Sequence, residues 1–302
     1  MSYLIGIDLG GSSAKAVVVR PSGEALAREN ATFDPDRPMD WAEKVRELKR
    51  KLEAQQGGEA ETIGVSAPGL AARDGRSIAY MPGRLTGLED LNWTEWLQAR
   101  KPVPVLNDAH AALLGEVWLG AAKGCQNAIL LTLGTGVGGA AMVDGNLLHG
   151  HLGRAGHLGH LCLDVHGPLD ICRTPGSLEL AIGNCTIRER TKGRFETTHA
   201  LVDAYRAGDA GAAVIWLESI RALGCSIASF VNILDPETVI IGGGVARAGA
   251  SLFDPLRKIL DEAEWRPGDA RVKVVSAELG EFAGAFGAAR QGTLASRKME
   301  SA

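Results

Sequence analysis

Ala128-Ile129-Leu130-Leu131-Thr132-Leu133-Gly134-Thr135-Gly136-Val137-Gly138-Gly139-Ala140-Ala141-Met142-Val143-Asp144-Gly145 joins two apolar runs through a turn of glycines and a hydroxyl. Apolar runs of this length bounded by glycine read as the two strands of a β-hairpin. The same plan occurs about 125 residues earlier. There Tyr3-Leu4-Ile5-Gly6-Ile7-Asp8 stops at Gly10-Gly11-Ser12-Ser13, and Ala14-Lys15-Ala16-Val17-Val18-Val19 resumes. Backbone N–H groups and hydroxyls in such turns form a nest suited to phosphate, and Asp8, at the mouth of the first, suits a hydrated Mg²⁺. It is not a Walker A loop, because no helix follows and the GxxxxGK[ST] order is absent. A lone glycine turn also closes ordinary hairpins. Its repetition is harder to explain by packing alone and implies two halves of similar plan that hold a polyphosphate between them.

Between the hairpins, Glu24–Arg28 extends the antiparallel meander, and Trp41–Gln56 is an amphipathic helix with Val45, Leu48 and Leu52 on one face. Thr62–Ala67 reads as a buried strand ending in Pro68-Gly69, Asp74–Pro82 as loop and short hairpin, and Trp93–Arg100 as a short helix. Val103–Leu106 is a further strand, Asn107-Asp108 a strand-to-helix turn, and Ala109 onward a helix. Asp108 thereby sits at the carboxyl end of a strand, where open α/β sheets place ligands, and is the first candidate for a catalytic base. Asn107 and Asp108 are equally residue types that cap a helix. After the second hairpin, the apolar strand Val239-Ile240-Ile241 runs into Gly242-Gly243-Gly244 and a helix starting near Ala246, a turn that admits the edge of a nucleotide.

At 302 residues the chain is long for one domain and comfortable for two. A net charge of -4 gives no electrostatic footprint for nucleic acid or an anionic membrane. With no signal peptide and no apolar stretch long enough to span a bilayer, a cytoplasmic location is expected. Five cysteines without paired CxxC spacing fit a reducing compartment. Thirty-nine glycines point to tight turns and close backbone approach to a ligand.

These motifs, together with Ala67-Pro68-Gly69, Asn107-Asp108-Ala109-His110-Ala111-Ala112, Gly156-His157-Leu158-Gly159-His160 and Leu234-Asp235-Pro236-Glu237, resemble in order and spacing those of the ROK family of sugar kinases. That family belongs to the actin, hexokinase and Hsp70 fold superfamily. The resemblance covers essentially the whole chain. It implies an α/β protein of two ribonuclease-H-like, actin-like ATPase domains with the active-site cleft between them. The first would be residues 1–108, completed by a C-terminal helix at about 283–296, and the second 109–282. It also implies ATP and Mg²⁺ as cofactors, a sugar as small-molecule partner, and a homodimer.

Carried over residue by residue, Asp8, Gly10, Gly11 and Ser12, with Ser13 beside them, resemble the first phosphate motif, and Asp8 would hold Mg²⁺ through water. Lys15 reaches a phosphate or is simply solvated. Gly134, Thr135, Gly136 and Gly138 resemble the second phosphate motif, and Gly243 and Gly244 the adenosine motif. Gly69 and Asn107 resemble sugar contacts, and Asp108 the base that takes a proton from the sugar hydroxyl. The resemblance also covers sugar-sensing regulators. Those carry an N-terminal DNA-binding domain, whereas here the phosphate hairpin begins at the first residues, so the alternative is a non-catalytic sugar-sensing protein without one. Polyphosphate as donor stays open.

The pattern breaks in three places. The glutamate that family members usually carry three residues before the histidine of GxxGH is here His157, which changes donor and acceptor capacity at the sugar ring. Of the family's zinc cysteines only Cys172 remains, in Asp170-Ile171-Cys172-Arg173-Thr174-Pro175-Gly176-Ser177-Leu178-Glu179. His160 and Cys172 alone should not hold a structural zinc, which wants four closed ligands. Pro82-Gly83 stands where a proline-asparagine pair is typical. Glu179 keeps the position of a family sugar ligand. The cluster His149, His151, His157, His160 and His166 reads either as a new metal site or, with more weight, as sugar hydrogen bonding by His157 and His160 among loop histidines.

Overall fold

The computed structural model describes residues 2–300 and divides into two compact units. The first comprises the chain up to Gly124, His149–Ala155 and Glu278 onward. Strands β1 (Leu4–Leu9), β2 (Ser13–Val19) and β3 (Ala25–Thr32) form an antiparallel meander. Helix α1 (Asp40–Gln56) leads to β4 (Thr62–Ala67), parallel to β1. A ribbon of β5 (Leu70–Ala71) and β6 (Ile78–Tyr80) and the short helix α2 (Trp93–Trp96) follow. The chain then enters β7 (Val105–Asn107), parallel to β4, and helix α3 (Asp108–Leu119). The sheet order is β3-β2-β1-β4-β7. Central strands covered on both faces are largely apolar, as β1 and β4 are apart from Asp8, Thr62 and Ser66; the edge strand β3 alternates and tolerates Arg28 and Glu29. Helix α1 buries Trp41, Val45, Leu48 and Leu52, and the Trp41 ring lies 5.8 Å from that of Trp93.

The second unit repeats the plan: β8 (Ala128–Leu133), β9 (Val137–Val143) and β10 (Asn146–Leu147) form the meander. Helices α4 (Leu178–Ile182), α5 (Ile187–Arg190), α6 (Thr198–Arg206) and α7 (Ala210–Leu234) precede β11 (Thr238–Gly242), parallel to β8. Helix α8 (Ala250–Ala263) then crosses to β12 (Lys273–Ser276). The sheet order is β10-β9-β8-β11-β12, the counterpart of the first. A 3₁₀ turn at Val245–Ala248 stands where a helix near Ala246 was expected, and α8 starts after it. By length and composition α7 is apolar enough to cross a membrane, which corrects the expectation that no stretch is; Glu218 and Arg221 interrupt its apolar sequence. Its Trp216, Ile220, Leu223 and Ile227 are fully buried in the core of the unit.

After β12 the chain returns to the first unit as α9 (Ala283–Glu300), which packs on β1, β4 and α3. A Cβ on Gly6 would stand 1.8 Å from the carbonyl oxygen of Ala285, and one on Gly64 1.9 Å from that of Ala288. Only glycine lets the helix backbone lie directly on the sheet. Because α3 packs on α9, residues 109–124 belong to the first unit rather than to a second domain beginning at 109, and His149–Ala155 joins them. The ring Nε2 of His110 donates to the carbonyl oxygen of Ala155 at 3.0 Å, and its ring lies 5.3 Å from that of His149.

Candidate active site

In the first unit three strand ends bring the expected residues together. Asp8 occupies the end of β1, next to Ser66 across the parallel pairing with β4, and Ser66 Oγ donates to Asp8 Oδ1 at 2.7 Å. Burial pushes the Asp8 carboxyl up to about 6; the Ser66 hydrogen bond opposes this, the Asp108 charge adds to it and Lys15 opposes it. Gly284, in the first turn of α9, approaches so closely that a Cβ there would stand 2.6 Å from the Asp8 carboxyl carbon. The positive end of that helix thus faces the carboxylate. Gly11 and Ser12 form the exposed tip of the hairpin, Ser13 begins β2, and the Gly10 N–H is committed to the carbonyl of Ser13 at 2.8 Å. The Lys15 ammonium pairs with exposed Glu281 at 3.3 Å, and its charge also acts on Asp8.

The two capping residue types of the Asn107-Asp108 turn divide the work. Asn107 Oδ1 accepts the N–H groups of Ala109 and His110 at 3.0 and 3.4 Å, and its Nδ2 donates to the Gly69 carbonyl at 3.0 Å. Asn107 is therefore the cap of α3 and a strut to the Gly69 turn, and its side chain also hydrogen-bonds the Asp108 carboxyl. Asp108 is released from capping. Its carboxyl accepts the adjacent Ala109 N–H at 2.8 Å, remains solvent-accessible, and is pushed up by desolvation against the lowering effect of hydrogen bonds from the Ala109 N–H and the Asn107 side chain. Arg84, absent from the sequence-based set, carries its guanidinium near the hairpin tip, 3.8 Å from where a Cβ on Gly11 would stand. No spacing rule points from residue 84 to residue 11, because Arg84 lies in the irregular stretch that follows β6.

In the second unit Gly134, Thr135 and Gly136 form the turn of the β8–β9 hairpin, with the Gly134 N–H bonded to the Gly136 carbonyl at 2.9 Å and Gly138 opposite Thr132. Buried Glu179, expected at the sugar, accepts the Val137 N–H through Oε2 at 2.9 Å and fills the space beside Gly136. It is a brace of the β8–β9 turn as well as a candidate sugar ligand. The 3₁₀ turn Leu158–His160 packs on β9, and the rings of His157 and His160 lie stacked, 6.5 Å apart and tilted by 18°. Burial, and then the neighbouring His160, hold the His157 pKa down, so it works as a neutral donor and acceptor. Gly243 lies against β8, where a Cβ would meet the Leu133 carbonyl oxygen at 2.3 Å. Gly244 borders a recess whose lining includes Thr198, His199, Asp203, Arg206 and Arg247.

Of the clustered histidines, only His160 joins a group of three metal-capable side chains among the described residues, with Asp170 and Cys172. Asp170, its side chain fully buried, accepts His160 Nδ1–H at 2.7 Å and the N–H groups of Cys172 and Thr174 at 2.8 and 2.9 Å. Burial would raise its carboxyl, but hydrogen bonds led by that from His160 bring it below the usual range. Cys172 Sγ lies 3.4 Å from the other ring nitrogen, Nε2. One ion bound at Nε2 cannot also take the carboxylate bonded to Nδ1, so it would have only His160 and Cys172 from this group. A structural zinc closes four ligands, and these residues do not fit one.

The ROK family model matches residues 4–293. A glucokinase of Thermotoga maritima is 33% identical over 306 residues, covering 95% of this chain and 96% of its own. A ROK hexokinase of Thermus thermophilus superposes with a TM-score of 0.84 at 30% identity, over 98% of this chain and 99% of that one. A ROK family glucokinase of Streptomyces griseus, solved in complex with glucose and AMPPNP, gives 0.75 at 28% identity over 97% and 100%. With the family's motifs borne on matching hairpins in both units, the chain belongs to the ROK family and has its two-domain, actin-like ATPase fold.

Proposed function

We propose that this ROK sugar kinase transfers the γ-phosphoryl group of ATP to a hydroxyl of a hexose or related sugar, with Asp108 as the base. The observation that carries the assignment is the division of labour in the Asn107-Asp108 turn. Asn107 takes the cap, so Asp108 is fixed at the first turn of a rigid helix with its carboxylate available for a proton. Phosphoryl transfer asks the protein mainly to position its partners and neutralise charge, and one group must accept the hydroxyl proton. Asp108 accepts it, and Asn107, Gly69, His157, His160 and Glu179 orient the sugar. The turns at Gly10–Ser13 and Gly134–Gly138 hold phosphates through the backbone, and Gly243 and Gly244 admit the adenosine.

Asp8 is an oxygen donor whose carboxyl is raised by burial, with the Asp108 charge adding to it, and it fits Mg²⁺ through water. Bound there with ATP, Mg²⁺ would neutralise charge on the transferring group.

The test is ADP release from Mg-ATP across hexoses and N-acetylhexosamines, beside Asp108→Asn. Turnover on a sugar that falls about 10²-fold or more in the variant, with sugar binding retained, supports the assignment. Equal turnover in the variant ends it, and silence across the panel with sugar still bound returns the sugar-sensing reading. Because the base must be unprotonated and its carboxyl is raised, kcat/KM should fall on acidification at a pH above the ordinary Asp range.

A further inference from the structure

We propose that Cys172 is a modification site that forms mixed disulfides with small disulfides, using His160 as its base and Asp170 to orient that base. The starting point is the misfit with zinc. Where a closed metal centre would lock its thiolate, this chain has a hydrogen-bonded series from buried carboxylate to imidazole to exposed thiol. An ionised carboxylate only accepts, so the proton of His160 sits on Nδ1 and Nε2 is left as an acceptor facing Sγ. Asp170 is held in turn by the backbone N–H groups of Cys172 and Thr174, which tie the thiol's own loop to the group that orients its base. Nucleophile, base and orienting group stand in the order that activated nucleophiles use.

Partial burial, with the charges of Asp170 and Glu179, holds the Cys172 thiol up, so it keeps its proton at neutral pH. The imidazole therefore does the activating. The Sγ proton passes to Nε2 as Sγ bonds to one sulfur of the disulfide. The disulfide bond breaks, and the departing thiolate takes the proton from the imidazolium. One protein thiol and one small disulfide give one mixed disulfide and one small thiol, with no other reactant. The adduct removes the Sγ–Nε2 contact and places a new group beside His160, whose ring stacks with that of His157. On the sugar assignment made above, this weakens sugar binding.

The experiment is treatment of the full chain at pH 7.5 with 2-hydroxyethyl disulfide, a neutral probe, followed by peptide mass spectrometry. Cys162, Cys185 and Cys225, also exposed, serve as internal references. Cys172 should react about tenfold faster than these, and His160→Asn should remove most of the advantage without changing the other rates. Equal rates in the parent chain overturn the proposal whether or not the variant folds. So does a Cys172 rate that appears only after chelation with release of stoichiometric zinc. The modified chain should show a raised sugar KM, restored by a thiol reductant and absent in Cys172→Ser. Fast modification with unchanged sugar KM overturns the effect on sugar binding, and because the rates are read without sugar, failure there is distinct from failure of the kinase assignment.

Discussion

The two glycine hairpins share a sheet position and differ in what a carboxylate does beside them. At β1–β2 the acid is Asp8, within the strand, pushed up by burial and by a second acid, with one hydroxyl as its hydrogen-bond support. At β8–β9 the corresponding residue is the neutral Thr132, and the nearby acid, Glu179, comes from α4 to satisfy a buried N–H of Val137. In one unit the charge is held at a cost to stability, the position proposed above for Mg²⁺; in the other it secures the backbone of a turn. The loop of the second hairpin is also one residue shorter, with Leu133 paired to Val137 where Leu9 pairs to Ala14.

The largest effect expected from this contrast is at Asp8. Asp8→Asn should lower kcat by about 10²-fold or more, on the scale of losing a preorganised electrostatic group. It should also leave Tm at pH 7.5 unchanged or higher. The folded chain binds the Asp8 proton more tightly (about 6) than the ordinary value of 3.8, so stability drops as pH rises between the two and stays lower above. The bound on this is about 3 kcal/mol, reduced because the side chain keeps some solvent access. A melting scan of the variant that falls at pH 7.5 would place Asp8 with the structural acids. Next comes Glu179→Ala, which leaves the Val137 N–H buried without its acceptor and should cost about 1–3 kcal/mol in urea unfolding. Stability equal to the parent would remove the distinction between the two acids. The smallest effect is at Lys15. Its partner Glu281 is exposed, so Lys15→Met should change stability by less than about 1 kcal/mol. If the KM for ATP rises more than about tenfold, or 1.4 kcal/mol, Lys15 turns to phosphate after all.

Much of this was legible in the chain itself. Both hairpins announce themselves because central strands need mostly apolar runs and their turns need small residues, so Leu4–Leu9 and Ala128–Leu133, each broken by a single polar residue, carry their own signal. The division between Asn107 and Asp108 was not legible, since both residue types cap helices and the outcome depends on the Gly69 carbonyl 38 positions away. Ser66 beside Asp8 and Glu179 beside Val137 are likewise contacts across 58 and 42 positions, with no local trace. The assignment of α3 to the first unit depends on α9, which lies more than a hundred residues later and buries its face.

That return of α9 has a consequence for synthesis. A ribosome releases β1, β4 and α3 long before the helix that covers them, so the first unit waits with Gly6 and Gly64 bare on an open sheet face while the second is made. The second unit, whose residues 125–148 and 156–277 all precede Glu278, has every strand of its sheet in hand by then. Folding order along the nascent chain is thereby inverted: the unit begun first is finished last, and its unfinished sheet is the surface a chaperone would meet.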